Sequence, residues 1–499
     1  MENIFSNIFK KIELQKFFKK IKDGNIDYNK RLLSAKTLEE TQDAINHHAD
    51  VNVQDKDGKT ALMYASDYSQ MKFLLDHGAD VNIQDKDGKT ALMYESASDQ
   101  GGYSMMCPRN YSQMQSLLDH GADVNAQDKD GKTALMYASK CPQMRFLLDH
   151  GADANIQDKD GKTALMYVMD RYPGNKSEEE ECKNLIEMLY FSGADLDAKD
   201  KEGKPALMHA WTFFQQEQLL SWGANVNVQD SDGKTLLMNT WSGNVRTLIE
   251  KYGAQLDIVD NDGMTALMHA VAKEDAGKFV YLLKAGADTN IADNNGETAL
   301  IKAAFHPSTS SWHCSRLLEA GANPNAADKN GVTALMNARD SDYIADLIKA
   351  GADVNAKDKN GNTALMHIMK RERDYCEENR DDSCYNYYIE SWQEQIKPLL
   401  EAGADIDAVN NKGKVAGDYV VPELDESLLR VLSLHKRKQS LWQERINRAK
   451  QGARNISGAV VADVIAEKVI SCEKKRTVTP QIDKKLRAKF MLERAGNSK

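Results

Sequence analysis

One stretch constrains this 499-residue chain more than any other: DKDGKTALMYAS, a variable piece, then FLLDHGADVNIQ. It first stands complete at Asp55–Gln84 and returns in variant form from about residue 24 to residue 435. Asp57-Gly58 predicts a tight turn, because glycine accepts positive φ without steric cost. Thr60, just ahead of Ala-Leu-Met, predicts a helix N-cap whose hydroxyl accepts from the free N–H groups of the first turn. Ala61, Leu62, Met63 and Ala65 supply a short first helix, and Met71, Phe73, Leu74 and Leu75 a second. Gly78 marks a left-handed helix end. Ala79-Asp80-Val81-Asn82 then leads out in extended form. Neither helix is long enough to be stable alone. Each must bury its apolar face on the next unit, so the chain is expected to stack rather than close around one core.

The turn glycines are Gly58, Gly88, Gly131, Gly161, Gly203, Gly233, Gly263, Gly296, Gly331, Gly361 and Gly413, with successive spacings of 30, 43, 30, 42, 30, 30, 33, 35, 30 and 52. The short units keep the turn, the threonine and the GAD exit. They lose three residues between Ala65 and Met71, where the first helix hands over to the second. A clipped first helix or a very tight inter-helix loop is expected there. The long units insert at the same junction, which leaves the stacking intact.

This order of signals resembles the ankyrin repeat, whose period is about 33 residues and whose signature runs T-P-L-H-x-A. The matching positions here read Thr60-Ala61-Leu62-Met63-Tyr64-Ala65, and GADVN falls at Gly78–Asn82 as in the family. The family's His is Met at positions 63, 93, 136, 166, 208, 238, 268, 336 and 366, and its Pro is usually Ala. A hydrogen bond between loops is thus exchanged for apolar packing. The resemblance implies an all-α ankyrin-type helical solenoid with short β-hairpin turns, of about twelve units over residues 24–435. It also implies that turn tips and first helices line a concave face that recognises proteins.

The ends differ from the array. Residues 1–23 alternate Ile and Phe with lysines at helical spacing, which reads as an amphipathic helix capping the open end. An interfacial helix with a lysine-rich face is the alternative. Formal charge is −10, but residues 436–499 hold 17 Lys/Arg against 6 Asp/Glu, which leaves about −21 for the rest. Helical patterns recur in this basic extension, which suits a cap and solvated tail or a module for nucleic acid or an anionic surface. Seven cysteines are scattered without metal-ligand spacing, as expected for reduced thiols in a cytoplasmic, reducing compartment. The sequence shows no Sec-type signal, a reading that leaves open export by a route without one.

Chemistry-bearing motifs are missing. Aligning Gly58 with the sixth position of an EF-hand loop puts Val53 and Tyr64 at its first and twelfth positions, so calcium is not expected. No phosphate-binding loop, dinucleotide fingerprint, zinc-protease helix or nucleophile elbow is present. No catalytic residue, cofactor or metal is expected, and the array reads as a monomeric scaffold for a partner protein. The candidate contacts are the tip residues Lys56, Asp57 and Lys59, then Tyr64, Tyr94, Tyr137 and Tyr167, then His209 and His269 after the Met. Trp211 and Trp241 occupy equivalent positions in adjacent units. Either they pack into space left by a clipped helix, or they form an exposed aromatic anchor. A second reading is an adaptor tethered to membrane or nucleic acid through residues 1–23 or 436–499. A third follows from the resemblance alone, since such arrays recur among exported effectors of host-associated bacteria.

Overall fold

The computed structural model describes residues 27–97, 109–305, 311–378 and 394–419. The expected helix over 1–23 and the basic extension 436–499 lie outside them. The chain divides into two compact units, residues 1–288 and 289–499.

The first unit is a run of helix pairs: Tyr28–Leu33 with Leu38–Asn46, Ala61–Tyr64 with Tyr68–Asp76, Ala91–Ala97 with Arg109–Asp119, Ala134–Tyr137 with Cys141–Asp149, Ala164–Met169 with Lys176–Phe191, Ala206–His209 with Phe213–Ser221, Leu236–Asn239 with Ser242–Glu250, and Ala266–Ala272 with Ala276–Ala285. The second unit continues the pattern with Ala299–Phe305 and Ser311–Glu319, Ala334–Asn337 and Ser341–Lys349, and Ala364–Glu378 followed by a helix at 394–401. Isolated antiparallel bridges such as Gln229–Thr235 and Val259–Thr265 in the first unit, and Ala327–Thr333 in the second, are what the expected hairpins amount to.

Spacing sets helix length. Units of 30 residues have first helices of four, as in Ala61–Tyr64 and Ala206–His209, while the unit of 33 has seven, Ala266–Ala272. The missing three residues are therefore the last turn of the first helix, the clipped-helix member of the two expected alternatives. The 42-residue unit spends its surplus on a 16-residue second helix, Lys176–Phe191.

Two ladders join the repeats. The Lys86 N–H donates to the Asp57 carbonyl at 2.8 Å, and Lys129 and Lys159 repeat this bond to Asp87 and Asp130. Gly58 permits it: φ is +81°, and a Cβ there would lie 2.7 Å from Lys86 N. At the exit, Asn82 Oδ1 accepts from Asp123 N at 2.9 Å while its Nδ2 donates to the Gly121 carbonyl at 3.0 Å. The asparagine of each GADVN thus holds the next repeat. The exit is not extended: Asp80 Oδ1 accepts from Asn82 N at 2.9 Å, which closes a turn that aims the asparagine. In the second unit Asn355 bonds Asp405 N and the Gly403 carbonyl in the same way, so the order persists there.

The core follows the apolar pattern. Leu62, Leu74, Leu92, Met93, Met144 and Met166 are buried. At the family's histidine position Met93, Met136, Met166, Met238, Met268, Met336 and Met366 are buried, while Met63 and Met208 are half-buried. The threonines differ from expectation. Thr60, Thr133 and Thr163 have N-cap backbone geometry but make no side-chain capping bond, and their buried hydroxyl oxygens have no partner. Thr265 does cap, accepting from Met268 N at 3.3 Å in the unit with a full-length first helix.

Candidate functional site

The first aspartate of each turn organises the face. Asp85 is buried, and its Oδ1 accepts from Asp87 N at 2.9 Å and Lys89 N at 2.8 Å. Its Oδ2 accepts from the Tyr94 hydroxyl at 2.6 Å. The same bond joins Tyr64 to Asp55 at 2.8 Å, Tyr137 to Asp128 at 2.6 Å and Tyr167 to Asp158 at 2.5 Å. The hydrogen bond to Asp55 raises the Tyr64 hydroxyl above its ordinary range, and burial first, then the aspartate, does so for Tyr94, Tyr137 and Tyr167. Histidine takes the same place later: His209 Nε2 meets Asp200 Oδ2 at 2.9 Å, and His269 Nε2 meets Asp260 Oδ2 at 2.7 Å. Burial holds the His269 imidazole below its usual range.

Lysines connect these stations. Lys59 Nζ lies 4.5 Å from the centroid of the Tyr94 ring in the next repeat, Lys89 lies 4.8 Å from Tyr137, and Lys132 lies 4.9 Å from Tyr167. Contact with the Tyr94 hydroxyl raises Lys59 above its ordinary value. The ladder ends in a charged node: Lys162 Nζ to Asp170 at 2.7 Å, Asp170 to His209 Nδ1 at 2.9 Å, and His209 to Asp200. The structure thus brings Lys59, Tyr64, Tyr94, Tyr137, Tyr167 and His209 into one series, with each tyrosine hydroxyl and the His209 ring bonded to an aspartate and Lys59 over the Tyr94 ring. Lys56 and Asp57 stay exposed at the tip.

Trp211 and Trp241 stand apart from this series, 69% and 82% exposed. They do not fill the space beside the clipped helices, so the packing alternative fails. Gln215 fills it for one repeat: its Nε2 donates to the carbonyls of Met169 at 3.2 Å and Arg171 at 2.8 Å, and its Oε1 takes the backbone N–H groups of Trp211 and Thr212, each at 3.0 Å. In a later repeat Lys278 does so, its Nζ donating to the Met238 carbonyl at 2.9 Å. With those seats taken, both indoles project outward at the handover, and Trp241 is itself the N-cap residue of Ser242–Glu250.

A family model of three ankyrin repeats matches the chain four times, at residues 30–105, 104–200, 215–293 and 272–358. The chain belongs to the ankyrin-repeat family. A search of curated proteins finds no match. Ankyrin repeats generally mediate protein–protein interaction and are typically non-catalytic. Among the described residues no cluster of His, Cys, Asp and Glu has the makings of a metal site, and no helix is long and apolar enough to cross a membrane.

Two features of this ankyrin array escaped the sequence. Tyr172, 69% exposed, occupies the handover one repeat before Trp211. Tyr190, exposed Phe191 and half-buried Trp222 form a cluster with ring centroids 4.6–5.5 Å apart. The signal for the cluster was comparison by register, since Phe191 stands two residues before its exit glycine, where Asp76, Asp119 and Asp149 stand elsewhere. Phe213 and Phe214 are half-buried at the start of the following helix.

Proposed function

We propose that this ankyrin array is a non-catalytic scaffold that binds a partner protein on the face built from its turn tips and first helices, with specificity concentrated in the tryptophan-bearing repeats. The observation that carries the reading is the exposure of Trp211 and Trp241 beside a ladder whose polar groups are already bonded internally. A ladder that satisfies itself is a poor source of selectivity. Two exposed indoles are a good one, because burying a large rigid ring on binding gains much area at small entropic cost.

The test is affinity purification of the full chain, with mass spectrometry, against the double variant Trp211→Ala/Trp241→Ala. Exposed rings contribute little to folding, so the variant keeps its circular dichroism and melting temperature. Loss of partner proteins from the variant supports the reading. An unchanged partner set removes the tryptophans from it.

A further inference from the structure

We propose that the handover edge bearing Tyr172, Trp211 and Trp241 docks a polyproline II segment of the partner, one apolar residue every third position, with a basic residue at its end. The proposal rests on the protein-binding reading above and names the chemistry of the partner.

Three observations carry it. The first is periodicity. The three rings occupy the handovers of three consecutive repeats, just ahead of or at the N-caps of Lys176–Phe191, Phe213–Ser221 and Ser242–Glu250. Packed helices stand about 8–10 Å apart. A polyproline II helix advances about 3.1 Å per residue with three residues per turn, so it presents the same face about every 9 Å. A β-strand returns to one face every second residue, at about 7 Å, and falls out of step. An α-helix returns every turn, at about 5.4 Å, and leaves alternate turns unanchored.

The second is hydrogen bonding. Among the described residues neither indole N–H nor the Tyr172 hydroxyl has a partner within the chain, and the side chains are 69%, 82% and 69% exposed for Trp211, Trp241 and Tyr172. Polyproline II has no internal hydrogen bonds, so its carbonyls are available to such donors, whereas those of an α-helix are not. The third is charge. Exposed Glu178, whose oxygens also accept from Gly174 N and Asn175 Nδ2 at 2.7 Å each, lies at one end of this edge, in a chain of formal charge −10. That complements a segment whose prolines are followed or preceded by Arg or Lys.

The experiment titrates the full chain with a labelled synthetic peptide carrying proline at every third position and an arginine at each end, read by fluorescence anisotropy. Saturable binding is expected, weakened about tenfold or more in Trp211→Ala/Trp241→Ala and reduced by added salt. The same peptide with its prolines scrambled should bind about tenfold more weakly. Equal binding of the scrambled peptide, equal binding by the double variant, tryptophan-dependent binding of a linear oligosaccharide in the peptide's place, or no binding at all overturns the proposal. If purified partner proteins still depend on the two tryptophans while the peptide fails, this inference falls and the broader protein-binding reading stands.

Discussion

Asp85 and Tyr94 form the central joint of a repeat: the Tyr94 hydroxyl donates to Asp85 Oδ2 at 2.6 Å, while Asp85 Oδ1 gathers the N–H groups of Asp87 and Lys89. The carboxylate fixes the turn with one oxygen and ties the first helix to it with the other. Removing its two roles separately should give different costs. Asp85→Ala leaves three donors without their acceptor and is expected to cost about 2–4 kcal/mol, whereas Tyr94→Phe keeps the ring under Lys59 and loses one bond, about 1 kcal/mol. Urea unfolding of the two variants checks the order. Equal costs would mean the tyrosine bond, not the turn, carries the joint.

The two glycines of a repeat have different reasons to be glycine. A Cβ at Gly58 meets Lys86 N at 2.7 Å, while one at Gly78 meets nothing within 4 Å. Both have positive φ, and His48, at the position of Gly78 in an earlier repeat, sits at φ +66° without glycine. Gly58→Ala should therefore cost about 2–4 kcal/mol, from strain plus separation of adjacent tips. Gly78→Asn should cost less than about 1 kcal/mol. Melting temperatures of both variants decide the matter, and similar losses would refute the distinction.

Lys278 is a buried amine where other repeats use glutamine. Only 2% of it is exposed, and burial pushes its pKa down to about 8 from 10.5. The folded state holds the proton less tightly than the unfolded state does. Its destabilising contribution is full below pH 8 and disappears as pH rises toward 10.5. Lys278→Gln keeps an N–H donor for the Met238 carbonyl, as Gln215 provides for Met169, and removes the buried charge. It should gain about 1–3 kcal/mol at pH 7, with the gain shrinking above pH 8. Unfolding free energies measured across that range test both the sign and the slope.

Thr133 holds a buried hydroxyl with no partner. Thr133→Val retains the shape and removes the unsatisfied group, so it should leave stability unchanged or raise it by about 1 kcal/mol. The corresponding change at Thr265, whose hydroxyl accepts from Met268 N, should cost about 1 kcal/mol. If both variants lose stability equally, the hydroxyl of Thr133 has a bond that the geometry omits.

Much of the architecture was legible because its signals are local. Asp57-Gly58 announced the turn, Gly78 the helix end, and the spacing of the glycines announced a shortened handover in the short units, by a clipped first helix or a tight loop. The candidate face was legible only as a register. Tyr64 and its equivalents were correctly read as sharing one position, yet nothing in the order of residues showed that their hydroxyls would be bonded to Asp55 and its equivalents nine residues before. The GADVN asparagine was also missed as a link, because its partners lie 39 and 41 residues away in the next repeat.

By itself, then, the sequence determined the repeat, its turns, its shortened handovers and its membership of a stacked array, since each depends on backbone preferences and on apolar spacing within one unit. Tertiary structure alone decided where Trp211 and Trp241 point. At these handovers a side chain from further along, Gln215 or, in a later repeat, Lys278, is seated on carbonyls of the preceding repeat. Those hydrogen bonds satisfy carbonyls that an indole with its single donor would leave partly bare. Gln215 and Lys278 hold those acceptors while Trp211 and Trp241 face outward, an arrangement that spans neighbouring repeats and so could not be read from one unit.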